Sequence, residues 1–65
     1  MLNLRMLRAA IAAAGYTQRK LAKEIGMSGS TFARRIKSGN FGTDEAMRIV
    51  RTLNIQDPAK IFFAD

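Results

Sequence analysis

Hydroxyl and cationic side chains crowd into one short stretch of this sequence. Ser28, Ser30 and Thr31 are followed by Arg34, Arg35 and Lys37. A guanidinium is a rigid fork of N–H donors that matches two acceptors side by side, on a phosphate or on the O6 and N7 edge of guanine. A hydroxyl both donates and accepts. This is chemistry for recognition rather than for making bonds. The chain has no His and no Cys, and only five carboxylates. The commonest metal ligand and neutral-pH acid–base group is therefore missing. Disulfides and thiolate sites are impossible. No nucleophile–base pair or metal cluster assembles by spacing. The adjacent Asp44 and Glu45 are explained by the positive start of a helix. The expectation is a non-enzyme that needs no metal and no cofactor.

Charge points to a polyanionic partner. Eleven Lys and Arg against five Asp and Glu give +6. Residues 1–37 hold eight basic residues and one acid, Glu24, for +7, whereas residues 38–65 hold three basic residues and four acids, for −1. A basic half joined to a near-neutral half is the electrostatic footprint of a polyanion-binding chain. A merely solvated surface would give the same count, so the arrangement of the residues has to decide.

Five helices must position these groups, in one domain over residues 1–65. A chain of this length has a thin core. The first helix spans Leu4–Ala14, with Asn3 as its cap, Gly15 at its end, and Leu4, Leu7, Ile11 and Ala14 on one face. That periodicity argues against reading the basic, apolar N-terminus as a targeting segment. No apolar run approaches the ~18 residues of a membrane span. The second helix spans Gln18–Ile25, capped by Thr17 and stopped by Gly26. The third spans Gly29–Lys37, capped by Ser28 and ended by Gly39. The fourth follows a cap at Thr43, with Ala46, Met47, Ile49, Val50 and Leu53 as its apolar stripe. Asp57-Pro58 opens a short fifth helix that runs through Phe63.

The stretch Gly15–Gly39, GYTQRKLAKEIGMSGSTFARRIKSG, contains two short helices joined by Gly26-Met27-Ser28. That is the geometry of a helix-turn-helix, here residues 17–37. Ala22 is small where the two helices must approach. Leu21 and Ile25 share the buried face, Met27 plugs the turn, and Phe32 and Ile36 form the inner stripe of the third helix. The chain resembles the repressor/Cro-type helix-turn-helix regulators of phages and bacteria. The likeness rests on YTQRKLAKEIGMSGSTFARRIKSG and then TDEAMRIVRTLNI, across residues 4–55. It departs from the family pattern at Arg35, where a large apolar residue is usual. Here the apolar residue comes one later, at Ile36.

The resemblance implies an all-α, compact five-helix bundle of the lambda-repressor-like kind, with the third helix lying in the major groove. Helical geometry assigns side chains independently. At about 100° per residue, a core-facing Phe32–Ile36 stripe turns Arg34 almost directly outward. Ser30, Thr31 and Lys37 lie on the outer half, and Arg35 lies at its edge. Arg34 is the expected reader of guanine, and Ser30 and Thr31 are short enough to read base edges or a thymine methyl. Arg35 and Lys37 are expected on phosphates. Ser28 caps the helix, contacts phosphate, or both. Gln18, at a helix start, is a phosphate contact by resemblance and otherwise a plain surface residue. Arg19, Lys20 and Lys23 share a helix of which only one face can see DNA, so each contacts the backbone or faces water. Ser38 and Asn40 offer donors to phosphate or simply make the turn. Tyr16 and Phe41 are expected in the core.

The expected partner is double-stranded DNA with a pseudo-palindromic operator, bound by a homodimer that is weak or monomeric in free solution. Ile61, Phe62 and Phe63 offer more apolar surface than a one-turn helix easily buries: either all three close the core, or at least one does and Phe62 and Phe63 supply the expected dimer interface. The implied role is a Cro-like repressor in the cytoplasm of a bacterial or phage-infected cell, on DNA and away from membranes. Two readings compete with it. An antitoxin-like module binds a protein with the same fold. A basic amphipathic peptide binds a membrane surface, which capped helices and turn glycines argue against. A chain that opens on Met and stops soon after the fifth helix resembles a complete small regulator, or the N-terminal fragment of a longer one.

Overall fold

Three helices start on short polar side chains that accept hydrogen bonds from otherwise unpartnered N–H groups. Asn3 Oδ1 accepts from the Met6 N–H at 3.1 Å, Thr17 Oγ1 from the Lys20 N–H at 3.1 Å, and Ser28 Oγ from the Thr31 N–H at 3.2 Å. The computed structural model describes residues 1–63. It contains α1 (Leu4–Ala13), α2 (Gln18–Glu24), α3 (Gly29–Ser38), α4 (Thr43–Leu53) and α5 (Pro58–Phe62). The architecture is all-helical, with no strand among the described residues.

The start of α4 differs from the sequence expectation. Thr43 is already inside the helix and Gly42 is the N-cap. Glycine has no side chain to cap with, so the helix uses the reverse arm of a capping box. Glu45 Oε1 accepts from the Gly42 N–H at 2.8 Å. Asp57 makes no side-chain cap bond, and Pro58 supplies the fixed φ that begins α5.

Between α2 and α3 the chain reverses on Gly26, at φ +77°. A Cβ would strain that conformation. The Met27 N–H donates to the Ala22 carbonyl at 2.8 Å and the Gly26 N–H to that of Lys23 at 3.1 Å. These two bonds satisfy two carbonyls in the last turn of α2 and define a tight C-terminal motif. The turn is therefore only four residues long, Ile25 to Ser28, one more than the sequence spacing predicts because Ile25 is the C-cap of α2 and not its last helical residue.

Leu7, Ile11, Leu21, Ala22, Ile25, Phe32, Ile36, Ile49, Leu53 and Ile61 form one buried cluster. α2 packs on α3 and α4, and α1 on α5. The Asn3 N–H donates to the Ile61 carbonyl at 2.6 Å, tying the two ends of the fold together. Phe32 meets Phe41 with ring centres 5.6 Å apart, and Phe41 meets Phe62 edge-on at 6.3 Å. Tyr16 and Phe41 are both half-buried against the core. Two apolar residues depart from expectation. Ala14 lies beyond the last turn of α1 as its C-cap and is exposed. Met47 is exposed, because at about 100° per residue it stands roughly 160° around α4 from buried Ile49.

Candidate nucleic-acid interface

The register of α3 decides what this surface can offer. Phe32 and Ile36 are its buried residues, at 1% and 8% exposure. Stacked four apart, they hold the helix against α2. Arg34, Ser30 and Lys37 are exposed on the opposite side, while Thr31 and Arg35 are half-exposed between the two. The inner anchor is thus Ile36 and not Arg35, as the shifted apolar residue predicts. Ile36→Ala should cost about 2–4 kcal/mol of stability. Arg35→Ala should change stability by less than about 1 kcal/mol, as expected of a partly exposed ion pair. Urea unfolding of the two variants side by side checks this; the reverse order of effects would mean that α3 is rotated.

At the N-terminal end of α3, Ser28 organises the hydroxyls. Its Oγ already accepts from the Thr31 N–H, and its proton goes to Thr31 Oγ1 at 2.8 Å. Ser30 Oγ lies 3.4 Å from Ser28 Oγ. Because Thr31 Oγ1 accepts from Ser28, the proton of Thr31 points elsewhere and is available to an outside acceptor. Ser28 is a cap first, with its donor engaged inside the protein.

Beside this surface, Gln18 is half-buried in the first turn of α2, where N–H groups point outward, and Arg19, Lys20 and Lys23 are exposed. Lys20 Nζ lies 5.8 Å from the centre of the Tyr16 ring, so its charge leans on the aromatic face. At the far end, Ser38 Oγ donates to the Arg35 carbonyl at 3.2 Å and accepts from the Asn40 N–H at 3.3 Å. Ser38 therefore makes the turn after α3, and it is the exposed Asn40 side chain that this loop presents.

Two arginines form contacts that local sequence does not reveal. Arg35 Nη2 lies 3.4 Å from Glu45 Oε2. Arg48 Nη1 donates to the Ile25 carbonyl at 3.2 Å, a cation at the negative end of α2. The partners are ten and 23 residues apart, beyond any helical or turn spacing.

Away from α3, Phe62 is half-buried on the core and Phe63 is 75% exposed. Met1, Leu2, Met47, Val50, Phe62 and Phe63 line an apolar groove of about 440 Å³. Among the described residues there is no cluster of three potential metal ligands, and no helix is long and apolar enough to cross a membrane.

A family model described as winged helix-turn-helix DNA-binding matches residues 2–38, more than half of the chain. The chain belongs to this winged helix-turn-helix DNA-binding family. The matched segment ends at the last residue of α3, so it holds α1, α2, the Gly26 turn and all of α3. The described residues beyond it carry two helices and no strand, so no wing forms there. No curated protein and no solved structure matches the chain. Within this helix-turn-helix, Ser30, Arg34 and Lys37 are exposed on α3 and Thr31 half-exposed, with Arg19 exposed and Gln18 half-buried on α2 and Asn40 exposed after α3.

Proposed function

We propose that this helix-turn-helix protein is a sequence-specific regulator of transcription, a Cro-like repressor that reads duplex DNA in the major groove with α3. The observation that carries the reading is the exposed Arg34, directly opposite the buried Phe32–Ile36 stripe on a helix whose other face is fully committed to the core. Arg34 takes the O6/N7 edge of a guanine, and Ser30 and Thr31 read neighbouring base edges. Gln18, Arg19, Ser28, Lys37, Ser38 and Asn40 ring this patch and fix the register on phosphates, with Ser28 and Ser38 contributing chiefly through the backbone they shape. Arg35, whose guanidinium lies on Glu45, is not among these phosphate contacts.

The whole chain acts as one domain, residues 1–65, built around the helix-turn-helix at 17–37. One short helix reads few base pairs, so a homodimer on a pseudo-palindromic operator supplies the specificity. Phe63, with Phe62 behind it, is the apolar contact for the second copy. A protein partner in the same groove would give the antitoxin-like alternative, which the groove's apolar lining favours over any small polar ligand. The site of action is the DNA of a bacterial or phage-infected cell.

Selection of binding sites from random duplex DNA tests the reading. The wild-type chain should enrich a two-fold symmetric site. Arg34→Ala should lose about 1–3 kcal/mol on that site and relax the preference at one base pair of each half. A pool that never converges on a sequence would refute base reading by α3.

A further inference from the structure

The two carboxylate oxygens of Glu45 are bound to different elements. Oε1 accepts from the Gly42 N–H at 2.8 Å, at the start of α4. Oε2 faces Arg35 Nη2 on α3 at 3.4 Å. The Glu45 side chain is 22% exposed and that of Arg35 40%. Anchored to the positive end of α4, the carboxylate cannot follow Arg35 outward. Among the described residues, none of the other seven cations of the basic half forms an ion pair.

We propose that Glu45 is a positioning residue that holds Arg35 off the DNA backbone and so limits non-specific binding. The inference rests on α3 facing DNA, as proposed above. A phosphate that takes the whole Arg35 guanidinium must displace Glu45 from Nη2, which leaves an unpaired anion beside the DNA. Binding to arbitrary sequence relies on charge alone, whereas binding to the chosen site adds base contacts. Neutralising Arg35 internally therefore weakens the first more, in proportion, than the second. Glu45 acts as a specificity determinant without touching DNA.

Glu45→Gln keeps an oxygen for the Gly42 N–H but removes the charge that restrains Arg35. On a duplex of arbitrary sequence, this variant should steepen the slope of log K against log salt by about 0.9, one additional phosphate contact, and bind about tenfold tighter near ~0.1 M salt. Arg35→Ala alone should leave the slope unchanged, and Glu45→Gln placed on Arg35→Ala should leave it unchanged too. A general loss of repulsion or a change in folding would not depend on Arg35 in this way. The Arg35→Ala arm keeps the α4 cap intact and suffices if Glu45→Gln melts. A flattening of the slope by about 0.9 in Arg35→Ala, or equal steepening by Glu45→Gln with and without Arg35, would overturn the restraint and leave DNA binding standing. Failure of the wild-type chain to bind any duplex would overturn both.

Discussion

Raising the salt from about 50 to about 200 mM should weaken binding of two copies of the chain, the proposed dimer, to duplex DNA by about 10³–10⁵-fold. The expectation follows from where the charge lies. Seven units of net positive charge fall within residues 1–37, the segment that builds α1 to α3, and all its cations except Arg35 project into solvent. If each protomer neutralises about four phosphates, two protomers release about eight condensed counterions, and log K falls with log salt at a slope near −7. The near-neutral remainder of the chain, −1 over residues 38–65, adds little to this attraction. Fluorescence anisotropy with a labelled duplex over a salt series measures the slope. A flat line would mean that the basic half does not touch phosphate, and the reading of α3 as a DNA-facing helix would fall with it.

Phe32→Ala should cost about 3–5 kcal/mol, the largest expected loss of stability from a single truncation in α3. Phe32 is 1% exposed and is the first ring in the Phe32–Phe41–Phe62 series. Truncation removes the buried ring, the tilted contact with Phe41 and the main attachment of α3 to the core. A domain this small holds only about 3–5 kcal/mol in total, so the variant should be largely unfolded at room temperature. Circular dichroism should show the loss of helix. Excess operator DNA should restore part of it, because a ligand that binds only the folded form draws the equilibrium back. A cooperative melt close to that of the wild type would show that the aromatic series does not hold α3 in place.

The outward face of α3 was legible because it depends on local rules. Phe32 and Ile36, four apart, define the inner stripe, and Arg34 is then outward by rotation alone. The caps at Asn3, Thr17 and Ser28 and the turn at Gly26 are likewise local, since each involves residues at most three to five apart. Positions settled by tertiary approach were not legible. Glu45 bridges α4 to Arg35, and Arg48 reaches back to Ile25, through spacings that carry no periodic signal. Thr43 has the better capping side chain, but the cap of α4 is Gly42, one residue earlier, whose N–H donates to the Glu45 carboxylate. Met47 looks continuous with the broad stripe beside it, yet it is exposed, because the stripe's local pattern does not reveal where its edge falls. The helix-turn-helix is legible from two short helices around the Gly26 turn, and the family match shows it; the reading of individual side chains on DNA stands as the proposal above.

The bond from the Asn3 N–H to the Ile61 carbonyl has a kinetic consequence. It closes a loop of nearly the whole chain, whereas α2 meets α3 across a single turn. Loop closure costs more entropy as the loop lengthens. The α2–α3 corner is thus the cheaper place to begin folding, and the α1–α5 seam closes late. Order of assembly then places the helix-turn-helix corner among the early contacts, and the seam that joins the two ends is where the folded chain opens first.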